Sequence, residues 1–282
     1  CHGDYFSRGI YAHRLAALLP DDQPVFLLHC ELDGLTDATT VEAIARAYLP
    51  EVLRIAADSP VVLGGWCNGG LTAWHLAHLL RAKGIEVLEL LLIETLSFNA
   101  RPPLRWLRKL FDTAGTIVPG RAGRFLQRRA MPHVWNRIRS DASFARQLYR
   151  FARKRLSSAP RVQVLDGSTS RLGGRVEDGF LAQMISRYVP PRLDVDVTCF
   201  IAEEGNHNRT DPNFWRRLAA TVNTRGIPGT HLGVVINERQ FLAKALTEAL
   251  QRVAARHAAR ASQARREVGR AEEDFFSAAA GR

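Results

Sequence analysis

No stretch of this 282-residue chain approaches the roughly 18 consecutive apolar residues that a membrane-spanning helix needs. The N-terminus also lacks the charged, apolar and small-residue sections of a secretion signal. No C-x-x-C pair occurs among Cys1, Cys30, Cys67 and Cys199, which argues against a zinc site and against a disulfide framework. Free thiols without a secretion signal point to a cytoplasmic address, with no metal expected. No methionine precedes Cys1-His2-Gly3, as in a domain excised from a longer polypeptide or one whose opening strand is cut short. No recognised nucleic-acid-binding motif accompanies the net charge of +11. That charge is also localised: residues 101–161 hold sixteen Arg or Lys against only Asp112 and Asp141. The basicity belongs to one segment, and the remainder is slightly acidic.

The chain is long enough for a sizeable core, and its 46% hydrophobic content is ordinary for a globular protein. Short apolar runs alternate with helical patterns. A helix ends before Pro20, and residues 25–29 read as a short buried strand. Thr39, three residues before Glu42, resembles a capping box opening a helix that runs to about Ala57. Residues 61–63 are apolar, residues 71–82 are helical, and Gly84 stops that helix before a Leu- and Ile-rich run at 87–93. This alternation predicts an α/β fold with a mostly parallel sheet. Residues 98–190 read differently, as Arg- and aromatic-rich helical stretches (104–111 and 142–156) with one strand-like piece at 162–165. They are expected to form a helical insertion packed over the sheet. A strand at 195–201, a helix containing Trp215, a last strand bounded by Val222 and Ile227, and a helix from near Glu238 complete the unit. Residues 1–250 then form the main domain, and 251–282 an Ala/Arg-rich helix or linker.

Residues 61–71 carry the chemistry. An apolar run reaches Gly64-Gly65, turns at Cys67 and leaves through Gly69-Gly70 into a helix. This matches the nucleophile elbow Gly-x-Nuc-x-Gly, with cysteine in place of the usual serine. Small flanking residues are needed because strand and helix approach closely there. A thiol at a helix N-terminus is favoured as thiolate by the dipole and by free N–H groups. Such a nucleophile needs an acid, a base and oxyanion donors. Glu94 ends the apolar strand after the elbow, at the carboxyl end of a parallel strand where ligands collect. Glu203, Glu204 and Asp211 are its rivals. His231 follows a strand end and Pro228-Gly229, and completes the chain order nucleophile, acid, histidine. His207 competes with it, whereas His75, His78 and His257 sit in helical patterns. The Asn68 N–H is one expected oxyanion donor and the Asp4 N–H the other.

The ordered set resembles a type I thioesterase domain, the chain-releasing unit of nonribosomal peptide and polyketide synthases. The resemblance rests on the His2-Gly3 turn with Tyr11 and Leu15-Ala16, the strand before Gly34, residues 64–70, the strand ending at Glu94, and residues 228–231. It implies an α/β-hydrolase core with a helical lid. The implied substrate is an acyl or peptidyl chain delivered on the phosphopantetheine arm of a carrier protein, with no further cofactor. Three positions depart from the family pattern: Cys67 stands where Ser is commoner, Glu94 where Asp is, and Asn68 where an apolar residue is typical. Transfer to a cysteine yields a second thioester and keeps the acyl group activated, which suits closure to a strained β-lactone or β-lactam as well as hydrolysis. The basic lid, Arg128 and Arg129 in particular, is expected to dock an acidic carrier. Neither nucleic acid nor membrane is expected as a partner. A freestanding editing thioesterase, a dienelactone-hydrolase-like enzyme and a basic nucleic-acid-binding module are the alternatives.

Overall fold

A computed structural model describes residues 1, 10–28, 40–97, 100–130, 134, 184–204 and 210–280, without the side chains of 128, 129, 269 and 271–280. Four strands, β1 (Val61–Trp66), β2 (Val87–Ile93), β3 (Asp196–Ala202) and β4 (Val222–Ile227), form one sheet in the order β1-β2-β3-β4. Every neighbouring pair is parallel. Parallel neighbours require crossovers, and helices supply them on both faces.

One face is covered by α2 (Val41–Ala56) and α3 (Asn68–Ala82). Here Leu90 and Leu92 of β2 and Val197 and Cys199 of β3 meet Ile44, Leu76, Leu80 and Trp215 in a single cluster. Each fully buried Leu or Ile contributes about 1.5–3 kcal/mol. Trp74 stacks on Trp215 at 4.5 Å and donates Nε1–H to the Pro191 carbonyl at 2.9 Å, so it is buried without an orphaned donor. The opposite face carries Leu91, Ile93, Phe200 and Ile227 against α1 (Ile10–Ala16), α6 (Gly233–Ile236) and α7 (Arg239–Ala280). α7 has 42 residues, and its Leu242, Leu246 and Ala249 lie on the sheet. Further along, Arg256 bridges the buried Glu89 of β2 and Asp196 of β3, the latter at 2.8 Å. Thr198 donates to Glu89 and Thr221 to Asp196, so both carboxylates have partners.

Two expectations are corrected. Residues 25–28 are irregular rather than strand. Val25, Phe26 and Leu27 are exposed, although Leu28 rests on the core. An apolar run becomes a strand only where a partner edge satisfies its backbone. The α2 cap is Thr40, whose hydroxyl accepts from Ala43 N–H at 3.1 Å, rather than Thr39. The helix expected to start at Asp211-Pro212 is a 3₁₀ turn, Pro212–Arg217, capped by Asp211 and containing Trp215. Within the 98–190 segment the structure shows α4 (Pro102–Ile117), α5 (Gly120–Phe125) and a π-helical turn at Leu126–Ala130. The stretches expected at 142–156 and 162–165 lie outside the described residues.

Candidate active site

β1 ends in Gly64-Gly65-Trp66, and the chain reverses at Cys67, which has φ 52° and ψ −118°. A side chain in this left-handed region is strained by about 1–3 kcal/mol and needs surrounding structure to hold it. The glycines permit that packing. A Cβ at Gly65 would lie 2.3 Å from the backbone of Gly69, and one at Gly70 would lie 1.9 Å from Thr95 Oγ1. Cys67 N–H donates to the Ile93 carbonyl at 2.8 Å, fastening the turn to the end of β2. The partly exposed thiol therefore stands at the N-cap of α3.

The residue after β2 is Glu94, also at positive φ (46°) and also pinned, its N–H bonded to the Phe200 carbonyl at 2.9 Å. Its side chain is 2% exposed. One carboxylate oxygen accepts from Ala202 N–H at 2.6 Å and the other lies 2.8 Å from His231 Nδ1. Both oxygens thus have partners, as a buried carboxylate requires. His231 follows β4 and precedes α6, its side chain 41% exposed. Burial is the largest single influence on its ring and disfavours the charged form. Hydrogen bonds to and charges of Cys67 and Glu94 together outweigh it, and the imidazole is pushed up to about 10. With Nδ1 committed to Glu94, Nε2 is the nitrogen left for Cys67. Cys67, His231 and Glu94 are therefore contiguous, the arrangement that a nucleophile, its base and an orienting acid require.

Trp66 is a further contributor that the sequence did not single out. Its Nε1–H donates to the His231 carbonyl at 3.3 Å, and the two rings lie 5.3 Å apart. Tyr11 of α1 meets the Trp66 ring edge-on at 4.8 Å. The residue next to the nucleophile thus holds the backbone of the base.

Asn68 is buried at the first position of α3, with its N–H at the helix end where an oxyanion would sit. Asp4 and the rival base His207 lie outside the described residues. Among the rival acids, Asp211 caps the 3₁₀ turn and the Glu203 side chain packs beside Gly226, so neither is the partner of His231. His75 stands within α3 against His78 and Tyr188. Arg128 and Arg129 fall in the π-helical turn, and their side chains lie outside the described residues.

Residues 9–99 match the family model for the thioesterase domain. The match covers the N-terminal third of the chain. That stretch contains the elbow and Glu94, and the fold brings His231 to it from outside. Among curated proteins, the chain is 32% identical over 108 residues to the non-reducing polyketide synthase terA of Aspergillus terreus, covering 38% of this chain and 5% of that synthase. It is 36% identical over 56 residues to the orsellinic acid synthase armB of Armillaria mellea, covering 20% of this chain and 2% of that one. The chain thus spans a small part of the curated relatives it matches. Among solved structures, ClbQ from the colibactin NRPS/PKS pathway superposes with a TM-score of 0.52 at 14% identity, over 87% of this chain and 92% of that one. That likeness is one of fold, an α/β-hydrolase arrangement with Cys67, Glu94 and His231 following the ends of β1, β2 and β4.

Proposed function

We propose that this domain is a chain-releasing thioesterase that accepts an acyl or peptidyl chain from a carrier-bound phosphopantetheine thioester onto Cys67. The observation that carries this reading is the contiguous Cys67–His231–Glu94 set, with both carboxylate oxygens of Glu94 engaged. Cys67 Sγ, as thiolate beside imidazolium, attacks the thioester carbonyl and forms a C–S bond. The oxyanion develops beside the Asn68 N–H at the start of α3. Collapse breaks the original C–S bond, and His231 protonates the departing pantetheine thiol.

The acyl group is then a thioester of Cys67 and keeps its activation. In the second half-reaction His231 takes a proton from the incoming nucleophile, which bonds to the carbonyl as Cys67 leaves. Water gives the acid. A hydroxyl or amine within the same chain gives a ring, and a retained thioester suits strained products such as a β-lactone or β-lactam. We assign to the helices that follow β2 the role of a lid that governs water entry, and a basic lid surface suits an acidic carrier.

The test is intact-mass detection of an acyl adduct on Cys67 after loading from an acyl-carrier or pantetheine thioester, followed by the mass of the released product. An adduct absent from Cys67→Ala is expected. A product lacking the mass of water marks cyclisation, and one including it marks hydrolysis. Equal turnover by Cys67→Ala would overturn the reading. Equal ring yields from Cys67→Ser would remove the role assigned to the thioester.

A further inference from the structure

A cavity of about 340 Å³ opens beside α4 and is lined by Arg105, Trp106, Lys109, Arg192 and Arg217 among others. The cations come from three separate segments: α4, the approach to β3, and the end of the 3₁₀ turn. Among the described residues lining it there are four cations and no acid. The nearby acids are engaged elsewhere or lie outside it. Asp112 pairs with Arg108 at 2.7 Å, and Asp211 caps Asn213. Asp194 is two residues from Arg192 but does not line the cavity. Convergent like charges repel one another, and a multiply charged anion relieves that repulsion.

The cavity is also partly preset. Arg105 donates to the Pro190 carbonyl at 2.5 Å, which fixes its fork and leaves its other N–H groups for a ligand. One turn earlier, Arg101 lies 4.5 Å over the Phe214 ring and anchors α4 to the 3₁₀ turn. Both guanidiniums are held partly out of water, and burial is the leading influence that lowers each. Trp106 is 57% exposed at the rim and offers a flat apolar face beside the charges.

We propose that this cavity binds a phosphate ester. A carboxylate is one charge with two oxygens and is satisfied by a single Arg fork. A terminal phosphate carries close to two charges on three oxygens and matches donors arriving from several directions. Two free ligands share this chemistry: phosphopantetheine not attached to a carrier, and a nucleotide whose base lies on Trp106. The cavity does not use Cys67, so the proposal stands independently of the acyl-transfer chemistry.

The experiment is calorimetric titration of the full chain carrying Cys67→Ala, which prevents turnover, with phosphopantetheine, pantetheine, ADP and adenosine. At least one phosphorylated probe is expected to bind at least about tenfold more tightly than its dephosphorylated counterpart, the cost of a lost charge-assisted contact. The double variant Arg192→Glu/Arg217→Glu is expected to abolish that difference, and both side chains are exposed, so the core is spared. A thermal melt confirms folding. Tighter phosphopantetheine identifies the free pantetheine phosphomonoester as the ligand. Tighter ADP, weakened by Trp106→Leu, identifies a nucleotide. Equal affinity for both members of each pair, or a phosphate preference that survives the charge reversals in a folded protein, would overturn the site.

Discussion

Converting Glu94 to glutamine tests the site at its most constrained atom. The backbone donor at Ala202, 2.6 Å from one carboxylate oxygen, can be satisfied only by an acceptor. The amide oxygen of Gln must therefore face Ala202, which places the NH₂ group 2.8 Å from His231 Nδ1. Two donors cannot share that contact, so the neutral ring moves its proton to Nε2, the side that faces Cys67. The base can then no longer receive the thiol proton, and the imidazolium loses its counter-charge. In a serine triad the equivalent change costs about 10⁴-fold. A thiol ionises more readily than a hydroxyl, so a loss of about 10²–10³-fold in acylation is expected here. The pH dependence gives a second readout. His231 lies at about 10 in the fold against an ordinary 6.5, so the folded state holds the extra proton between those values. The resulting stabilisation is fully present below about 6.5 and disappears as pH rises through about 10. The 41% exposure of the ring keeps it modest. Glu94→Gln should lower the upper edge of that window. Stopped-flow acylation by a small thioester at pH 6–9, paired with chemical denaturation over the same range, measures both. Acylation within threefold of wild type, together with an unchanged pH slope of stability, would refute the orienting role of Glu94.

Trp66→Phe keeps an aromatic ring but loses the donor to the His231 carbonyl, so kcat should fall about tenfold with KM nearly unchanged and stability lowered by about 1 kcal/mol. An equal fall in kcat and rise in KM would place the effect in substrate binding instead. Gly65→Ala drives a Cβ to 2.3 Å from the Gly69 backbone, which no rotamer can relieve, and should destabilise by about 3 kcal/mol in denaturant. A loss under about 1 kcal/mol would show that strand and helix can separate there. Arg256→Met strands the buried Glu89 and part-buried Asp196 at the end of the sheet away from Cys67, so it should cost about 3 kcal/mol while sparing acylation of the folded fraction. Slower acylation at full folding would link the two ends of the sheet.

Much of the sheet was legible because its strands are short apolar runs closed by glycine, proline or a charge. β2 was readable as 87–93 because Leu and Ile fill it and Gly84 precedes it. Residues 25–28 have the same composition but are irregular, because strand formation depends on a partner edge that local sequence does not reveal. That Cys67, Glu94 and His231 would come together was readable from chain order and strand-end position. What separated Glu94 from Glu203 and Asp211 is the Ala202 N–H, a tertiary contact across 108 residues. The Trp66–His231 bond spans 165 residues and was equally invisible, because a Trp beside a nucleophile reads simply as core.

Glu94 in place of aspartate has a structural consequence of its own. The extra methylene lengthens the reach from β2, and the backbone at Glu94 turns to positive φ where a β-strand residue would have continued. Cys67, on the adjacent strand end, is in the same left-handed region. Each is held by its own N–H bonding to the neighbouring strand, Cys67 to Ile93 and Glu94 to Phe200. The parallel ladder therefore continues one residue past each strand while the side chains swing out of the pleat. A strain of about 1–3 kcal/mol at each position is offset by these bonds and by the close Gly65–Gly69 approach. Relaxing either residue would cost the ladder its last rung, so Cys67 and Glu94 are fixed by the sheet itself. The base, on the loop between β4 and α6, is the member with freedom to move, and its restraints are the Glu94 carboxylate and the Trp66 indole. Mutations that loosen the site should accordingly act through His231 first, and the ring's orientation, read from the pH profile of acylation, should change before the elbow does.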